Sequence, residues 1–238
     1  GVSALVAPLK AELRLLSREA PLMVAVSVVV AVMMLDGAVG RGDGVLLLAG
    51  FAGFLWFVLK AAPLEPRSVA AEYVQYEDNE RGQVAGTDRK DLLLVLIGLA
   101  GLVVGAQLLV SSAVYFARLL GISEIVIGMT VVAIGTSLPE LATCVVAAFR
   151  SESDIALGNA VGSNIFNLLS ILAIAALIRP IPVTAAVLEY EIPAMLLFAI
   201  LLVPLAWKGR VLGRASGALL VAGYILFTVV LIARALPG

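Results

Sequence analysis

Two short stretches carry oxygen-bearing side chains where an apolar helix would ordinarily have none. The first is GTSLPE (135–140), set inside VVAIGTSLPELATCVV (131–146). It spaces Thr136 and Glu140 at i,i+4 and Ser137 and Glu140 at i,i+3, so all three can share one helical face. Pro139 has no N–H, and its ring crowds the carbonyl four residues back, which frees backbone acceptors near Gly135. The second stretch is GNAVGSNIFNLL (158–169), with Asn159, Ser163, Asn164 and Asn167. Ser163 and Asn167 share a face, while Gly158 and Gly162 permit close approach or a break. A carboxylate, hydroxyls, amide oxygens and loosened carbonyls are hard ligands that suit Ca²⁺, and they can also take Na⁺. No lysine or arginine is placed to neutralise Glu140, which argues against an anionic substrate. The plainer readings are a protonated structural Glu140 and polar glue between helices.

The elements that hold these groups are membrane helices. Of the 238 residues, 62% are hydrophobic and 14% charged, against about 25% charged in a soluble domain. The chain shows apolar runs near 21–35, 44–59, 92–117, 125–149, 155–178, 193–207 and 212–233, long enough to cross a bilayer. The first and sixth are short and are expected to extend into their flanks. Seven transmembrane helices of an all-α integral membrane protein follow, with the lipid bilayer as partner. Of 17 acidic residues, only Glu140 lies well inside a span. A carboxylate at that depth costs several kcal/mol and usually lines a polar pathway.

Other chemistry drops away. Histidine is absent, which removes the usual zinc, haem and Ser–His sites. The lone Cys144 lies within a span and is read as packing. A net charge of −1 without a basic stripe gives no nucleic-acid partner. The opening GVSALV has no charged region ahead of an apolar stretch, so no signal peptide is expected.

Lysine and arginine set the orientation, since they accumulate on the cytoplasmic side. Lys10, Arg14, Arg18, Lys60, Arg67, Arg81, Arg89, Lys90, Arg150, Lys208, Arg210 and Arg214 fall on one side; Arg41, Arg118, Arg179 and Arg234 fall on the other. This places the polar linker 61–91 in the cytoplasm and the C-terminus outside, in a multi-pass protein of the cell (inner) membrane.

The chain also repeats. PLKAELRLLSREAPLM (8–23) lies on PIPVTAAVLEYEIPAM (180–195), pairing Pro8 with Pro180, Glu19 with Glu191 and Pro21 with Pro193. One inserted residue later, GVLLLAGF (44–51) matches GALLVAGY (217–224). The copies start an odd number of spans apart and cross the membrane in opposite directions, the inverted-topology architecture of many secondary transporters. Residues 1–60 read as the back part of a first repeat with two spans. Residues 92–238 read as a complete second repeat with five, and broken helices are expected at GTSLPE and GNAVGSN. On this reading about 80 residues, the front of the first repeat, would precede residue 1.

GTSLPELAT (135–143) followed by GNAVGSNIFN (158–167) resembles the alpha-repeat signature of the cation/calcium antiporter superfamily. The nearest branch is the sodium/calcium exchanger family, with its potassium-dependent relatives, and the alpha-repeat would cover about 125–178 of this chain. The whole chain resembles spans four to ten of a ten-span protein, so the missing first repeat would be a partner in the site. The resemblance implies a secondary antiporter, not an enzyme, exchanging Ca²⁺ for Na⁺ by alternating access. These ions, with K⁺ or H⁺ left open, are cargo, and no cofactor is implied. Glu140 would be the central calcium and sodium ligand, and Thr136 would contribute to the calcium site. Ser137, Ser163, Asn167 and the Ala133 carbonyl would belong to flanking sodium sites. Some relatives carry Asp where this chain has Asn167, which leaves stoichiometry and potassium dependence open. A Ca²⁺/H⁺ antiporter of the same superfamily is the alternative. An intramembrane protease lacks a Ser–His pair here, and a seven-span receptor would have no use for the inverted repeat.

Overall fold

The computed structural model describes residues 1–61, 88–119, 121 and 127–235. Residues 62–87 of the expected linker 61–91 lie outside the described residues, and 88–91 already belong to the next helix. In chain order come α1 (Val2–Val6), β1 (Leu9–Lys10), α2 (Leu15–Asp36), β2 (Ala38–Val39), α3 (Arg41–Ala61) and α4 (Asp88–Leu119). Two half-helices follow, α5 (Thr130–Thr136) and α6 (Leu138–Phe149), then α7 (Ser153–Ile178), β3 (Ile181–Pro182), α8 (Val187–Arg210), β4 (Val211–Leu212) and α9 (Arg214–Ala235). Among the described residues, six helices are long and apolar enough to cross a membrane, and the bent α5–α6 pair makes a seventh. The first and sixth spans do extend into their flanks, starting at Leu15 and Val187.

The inverted repeat is written into the backbone. A wide π turn at Leu15–Glu19 opens α2, where the Ala20 N–H reaches back to the Leu15 carbonyl. The matching turn Val187–Glu191 opens α8, with the Ile192 N–H on the Val187 carbonyl. Each π turn sits just before the repeated proline, Pro21 or Pro193. A proline crowds the carbonyl four residues back and supplies no donor to it, so the turn ahead widens. At the far ends, Gly37 (φ 88°) and Gly209 (φ 71°) take the left-handed conformation that glycine tolerates best.

Two short antiparallel ladders then tie the copies together. Leu9 faces Leu212 and Lys10 faces Val211 at one end, while Ala38 faces Pro182 and Val39 faces Ile181 at the other. The Ala11 N–H donates to the Arg210 carbonyl at 2.8 Å, and its counterpart, the Val183 N–H, donates to the Gly37 carbonyl at 2.8 Å. Each ladder satisfies backbone groups where the chain leaves a helix, which is where a membrane protein runs short of partners.

The core sits where α2 crosses α7. Leu16, Val30, Val161, Ile165 and Ala173 are each at most 1% exposed. By contrast, the most apolar stretch of α4 buries no residue. An uncovered helix of that kind would be a fault in water, but lipid tails are as apolar as leucine and solvate it.

Glycines set the closest helix approaches, again in repeat-related places. A Cβ on Gly44 of α3 would lie 2.9 Å from the Ala173 carbonyl oxygen of α7; one on Gly217 of α9 would lie 2.8 Å from the Gly1 carbonyl oxygen beside α1. Both obstacles are backbone, which cannot rotate away. Gly44→Ala is expected to cost about 1–3 kcal/mol by overpacking and to lower the thermal midpoint in detergent by several degrees. Gly98→Ala, where an added Cβ meets nothing within 4 Å, should leave the midpoint unchanged or slightly raised.

Candidate functional site

Among the described residues, the first motif is the one sharp break in a span. The two half-helices meet at Ser137 with a bend of 50°, and Ser137 itself leaves helical geometry (φ −95°, ψ 4°). Pro139 follows in the first turn of α6, where a missing N–H costs nothing, and it gives no i−4 donor to the Gly135 carbonyl. Glu140 therefore stands in the first turn of a half-helix rather than in the middle of a long one. The N-terminal end of the α6 dipole and the carbonyl end of α5 both meet at this break.

The second motif behaves differently from the expectation of a break. Residues 153–166 form one uninterrupted α-helix through GNAVGSN, and the irregularity comes just after it, in a π turn at Asn167–Ile171. Gly158 and Gly162 permit a break but do not enforce one. With no proline, every N–H is still available to the helix, and Asn164 Nδ2 donates to the Ala160 carbonyl at 2.7 Å beside the helix's own bonds.

Between α6 and α7 lies a cavity of about 470 Å³. Ser137, Glu140, Asn159, Ser163, Asn164 and Asn167 supply most of its polar lining, Ser3 of α1 adds to it, and Phe198 and Tyr224 close in from α8 and α9. Four of the six residues named from the sequence thus come together: Ser137, Glu140, Ser163 and Asn167. Thr136 faces away across the bend, into a neighbouring cavity of about 670 Å³ that α4 walls with Gln107 and Ser111. The helical face expected to unite Thr136 with Glu140 is split because the 50° bend turns the two half-helices apart. The Ala133 carbonyl lines neither cavity; it accepts hydrogen bonds from Thr136 Oγ1 at 3.1 Å and Ser137 Oγ at 3.4 Å.

Those hydrogen bonds define what the lining can do. Several donors are spent on backbone carbonyls: Ser137 on Ala133, Ser163 on Ala160 at 3.4 Å, and Asn159 Nδ2 on the Glu140 carbonyl at 3.2 Å. The oxygen lone pairs of these three side chains remain available to the cavity. One oxygen of the Glu140 carboxylate, Oε2, is buried without any hydrogen-bond partner. Such an atom is rare in a folded protein and costly unless something else satisfies it. No lysine or arginine side chain lines either cavity. Among the described residues no three His, Cys, Asp or Glu side chains cluster as a tight metal site would require. The arrangement is an oxygen-rich lining around one carboxylate, suited to a cation that must also leave.

Asn159 is the residue that motif spacing alone undervalued. Its amide also donates to Cys144 Sγ at 3.2 Å, and Cys144 in turn donates to the Ala156 carbonyl at 3.3 Å. The two helices are clamped side by side through this chain. Nothing in the sequence pairs Asn159 with Cys144; only the packing of α6 on α7 does. Asn159→Leu removes the second hydrogen bond on the Glu140 carbonyl and the bond to Cys144 Sγ, and is expected to cost about 1–2 kcal/mol. A fall in thermal midpoint, with faster maleimide labelling of the buried Cys144, checks this.

Comparison with known proteins agrees with the geometry. The sequence profile of the sodium/calcium exchanger protein family matches residues 90–233. The chain is 37% identical over 239 residues to the inner membrane protein YrbG of Escherichia coli K12, covering 97% of this chain and 71% of that one. It is 40% identical over 153 residues to the sodium/calcium exchanger MaX1 of Methanosarcina acetivorans, which covers 64% of this chain and 43% of the relative. Its fold superposes on that of the sodium-calcium exchanger NCX_Mj with a TM-score of 0.74 at 32% identity, over 94% of this chain and 69% of the other. The profile match spans the α5–α6 break and the α7 motif that build the cavity, and this multi-pass membrane chain belongs to the sodium/calcium exchanger family.

Proposed function

We propose that the chain exchanges Ca²⁺ for Na⁺ by alternating access, with Glu140 carrying the charge of the bound ions. The observation that carries this reading is the buried, unpartnered Oε2 of Glu140 in a cavity also lined by Ser137, Ser163 and Asn167. Ser137, Ser163 and Asn167 complete the oxygen set around it, Thr136 serves a calcium ion from across the bend, and the Ala133 carbonyl fixes the two hydroxyls. Residues 1–60 and 92–238 act as parts of two oppositely inserted repeats, with the end that carries Lys10 and Arg210 in the cytoplasm. One carboxylate does not balance a divalent ion in a dry site. The bound state therefore needs a second anionic donor from an antiparallel set of spans, as inverted repeats supply at the bilayer midplane.

Two measurements test this. In the full-length protein reconstituted in vesicles, Glu140→Gln should abolish Na⁺-driven ⁴⁵Ca²⁺ uptake while leaving folding and insertion intact; undiminished uptake overturns the assignment. Uptake driven by a pH gradient but not by Na⁺ would instead mark a Ca²⁺/H⁺ antiporter built on the same site.

Selectivity follows from the same lining. A set of helix carbonyls, hydroxyls and one carboxylate offers many oxygens at relaxed distances, which suits Ca²⁺, whereas Mg²⁺ demands tight octahedral geometry and dehydrates reluctantly. Mg²⁺ at equal concentration should compete poorly for ⁴⁵Ca²⁺ uptake, and equal competition counts against this lining.

A further inference from the structure

The two repeats differ in one place that ion exchange does not explain. Between α2 and α3 runs an open apolar groove of about 400 Å³, floored by Leu169 of α7. One wall is the α3 face that carries Leu46, Gly50, Gly53 and Phe57; the other runs along α2 from Leu22 to Met33. That α2 stretch spans about 16 Å at 1.5 Å per residue, the depth of one leaflet of a hydrocarbon core about 30 Å thick.

In the second repeat the equivalent groove is filled. Gly223 of α9, the counterpart of Gly50, is covered by the ring of Phe198, 3.3 Å from where its Cβ would stand. Phe198 is the counterpart of Val26, which lines the open groove without filling it. The mouth of the second copy is closed as well: Arg234 lies 3.4 Å over the ring of Tyr190 and joins the last turn of α9 to the start of α8. In the first copy Arg18 takes the place of Tyr190, and Lys60 stands in the corresponding last turn of α3. Two cations cannot bridge each other, so the mouth stays open and doubly positive.

Both basic residues continue the groove walls. Arg18 precedes Leu22 by four residues and Lys60 follows Phe57 by three, on the same helical faces. Both are exposed. Glu19, next to Arg18, is engaged by Arg14 at 3.6 Å. Lys60 rests on the Trp56 ring at 4.7 Å, an amphipathic pair of the kind found at the membrane–water boundary. No described residue covers the groove.

We propose that this groove binds an anionic phospholipid, with one acyl chain along the α2–α3 seam and its phosphate between Arg18 and Lys60. Basic pockets between membrane helices hold acidic lipid head groups in this way. The apolar walls and the doubly positive mouth match the two halves of such a molecule. An acyl chain alone would need no paired cations, and a free phosphate would need no groove.

The test is lipid retention by the purified protein, read by native mass spectrometry in equal mixtures of phosphatidylglycerol and phosphatidylcholine. The wild type should retain phosphatidylglycerol preferentially, by roughly thirtyfold for two basic contacts. Arg18→Gln with Lys60→Gln, both at exposed positions, should bring the ratio near one while a lipid chain is still retained. Val26→Phe, which copies the plug of the second repeat, should lower retention of both lipids, with the thermal midpoint checked alongside. A wild type without head-group preference, or a double glutamine variant that keeps it, overturns the proposal. A dimer that Val26→Phe dissociates would also overturn it, by assigning the groove to a second copy.

Discussion

In hydrocarbon every backbone polar group must find its partner within the protein, and the bend at Ser137 strains that rule. The span that ends at Phe149 is interrupted at Ser137, and Pro139 withholds the donor that the carbonyl of Gly135 would otherwise receive. Much of the architecture makes that break tolerable. A side chain at Gly135 would overlap Val110, so α4 can lie directly against the interrupted segment. On the other side Asn159 reaches from α7 to the Glu140 carbonyl and to Cys144, holding the second half-helix in place. The carboxylate is thus fixed by its backbone while its side chain is left with an unmet need. An anchored group with one open valence is what reversible ion binding requires.

The inverted repeat supplies the rigid frame for this defect. Repeat-related π turns, left-handed glycines, glycine–carbonyl approaches and two-residue ladders recur at both ends of the bundle. None is large, yet together they close off the termini of the spans, where a membrane protein is poorest in hydrogen-bond partners. The copies diverge where their surroundings differ. Phe198 and the Arg234–Tyr190 pair seal the seam of the second copy, while Val26, Arg18 and Lys60 leave the first open. Symmetry fixes the backbone and leaves the side chains free to specialise.

The seven spans, their order, the repeat and the two polar motifs could all be read along the chain. Each rests on local composition or on spacing within one helix. An apolar run of bilayer length needs no partner to declare itself, and the repeated Glu–x–Pro near the start of α2 and α8 accompanies a widened turn in both copies. The placement of Thr136 was not legible in the same way. Its i,i+4 spacing to Glu140 assumes an unbroken helix, and the bend at Ser137 sends it into the neighbouring cavity. Nor did Gly158 and Gly162 break their helix, because glycine permits a break without enforcing one.

By itself, then, the sequence determined which segments enter the membrane, which residues bear oxygen there and where proline must spoil a helix. These are consequences of hydropathy and of covalent geometry, and they act over a few residues. Tertiary structure decided which oxygens face one another. The meeting of Glu140, Asn159 and Ser163 in one cavity, the Asn159–Cys144 clamp and the open seam between α2 and α3 all depend on how separate helices rotate and cross. That rotation is set by packing at distant points such as Gly44 on Ala173. Information about a contact between two helices resides in both at once, and no single stretch of the chain contains it.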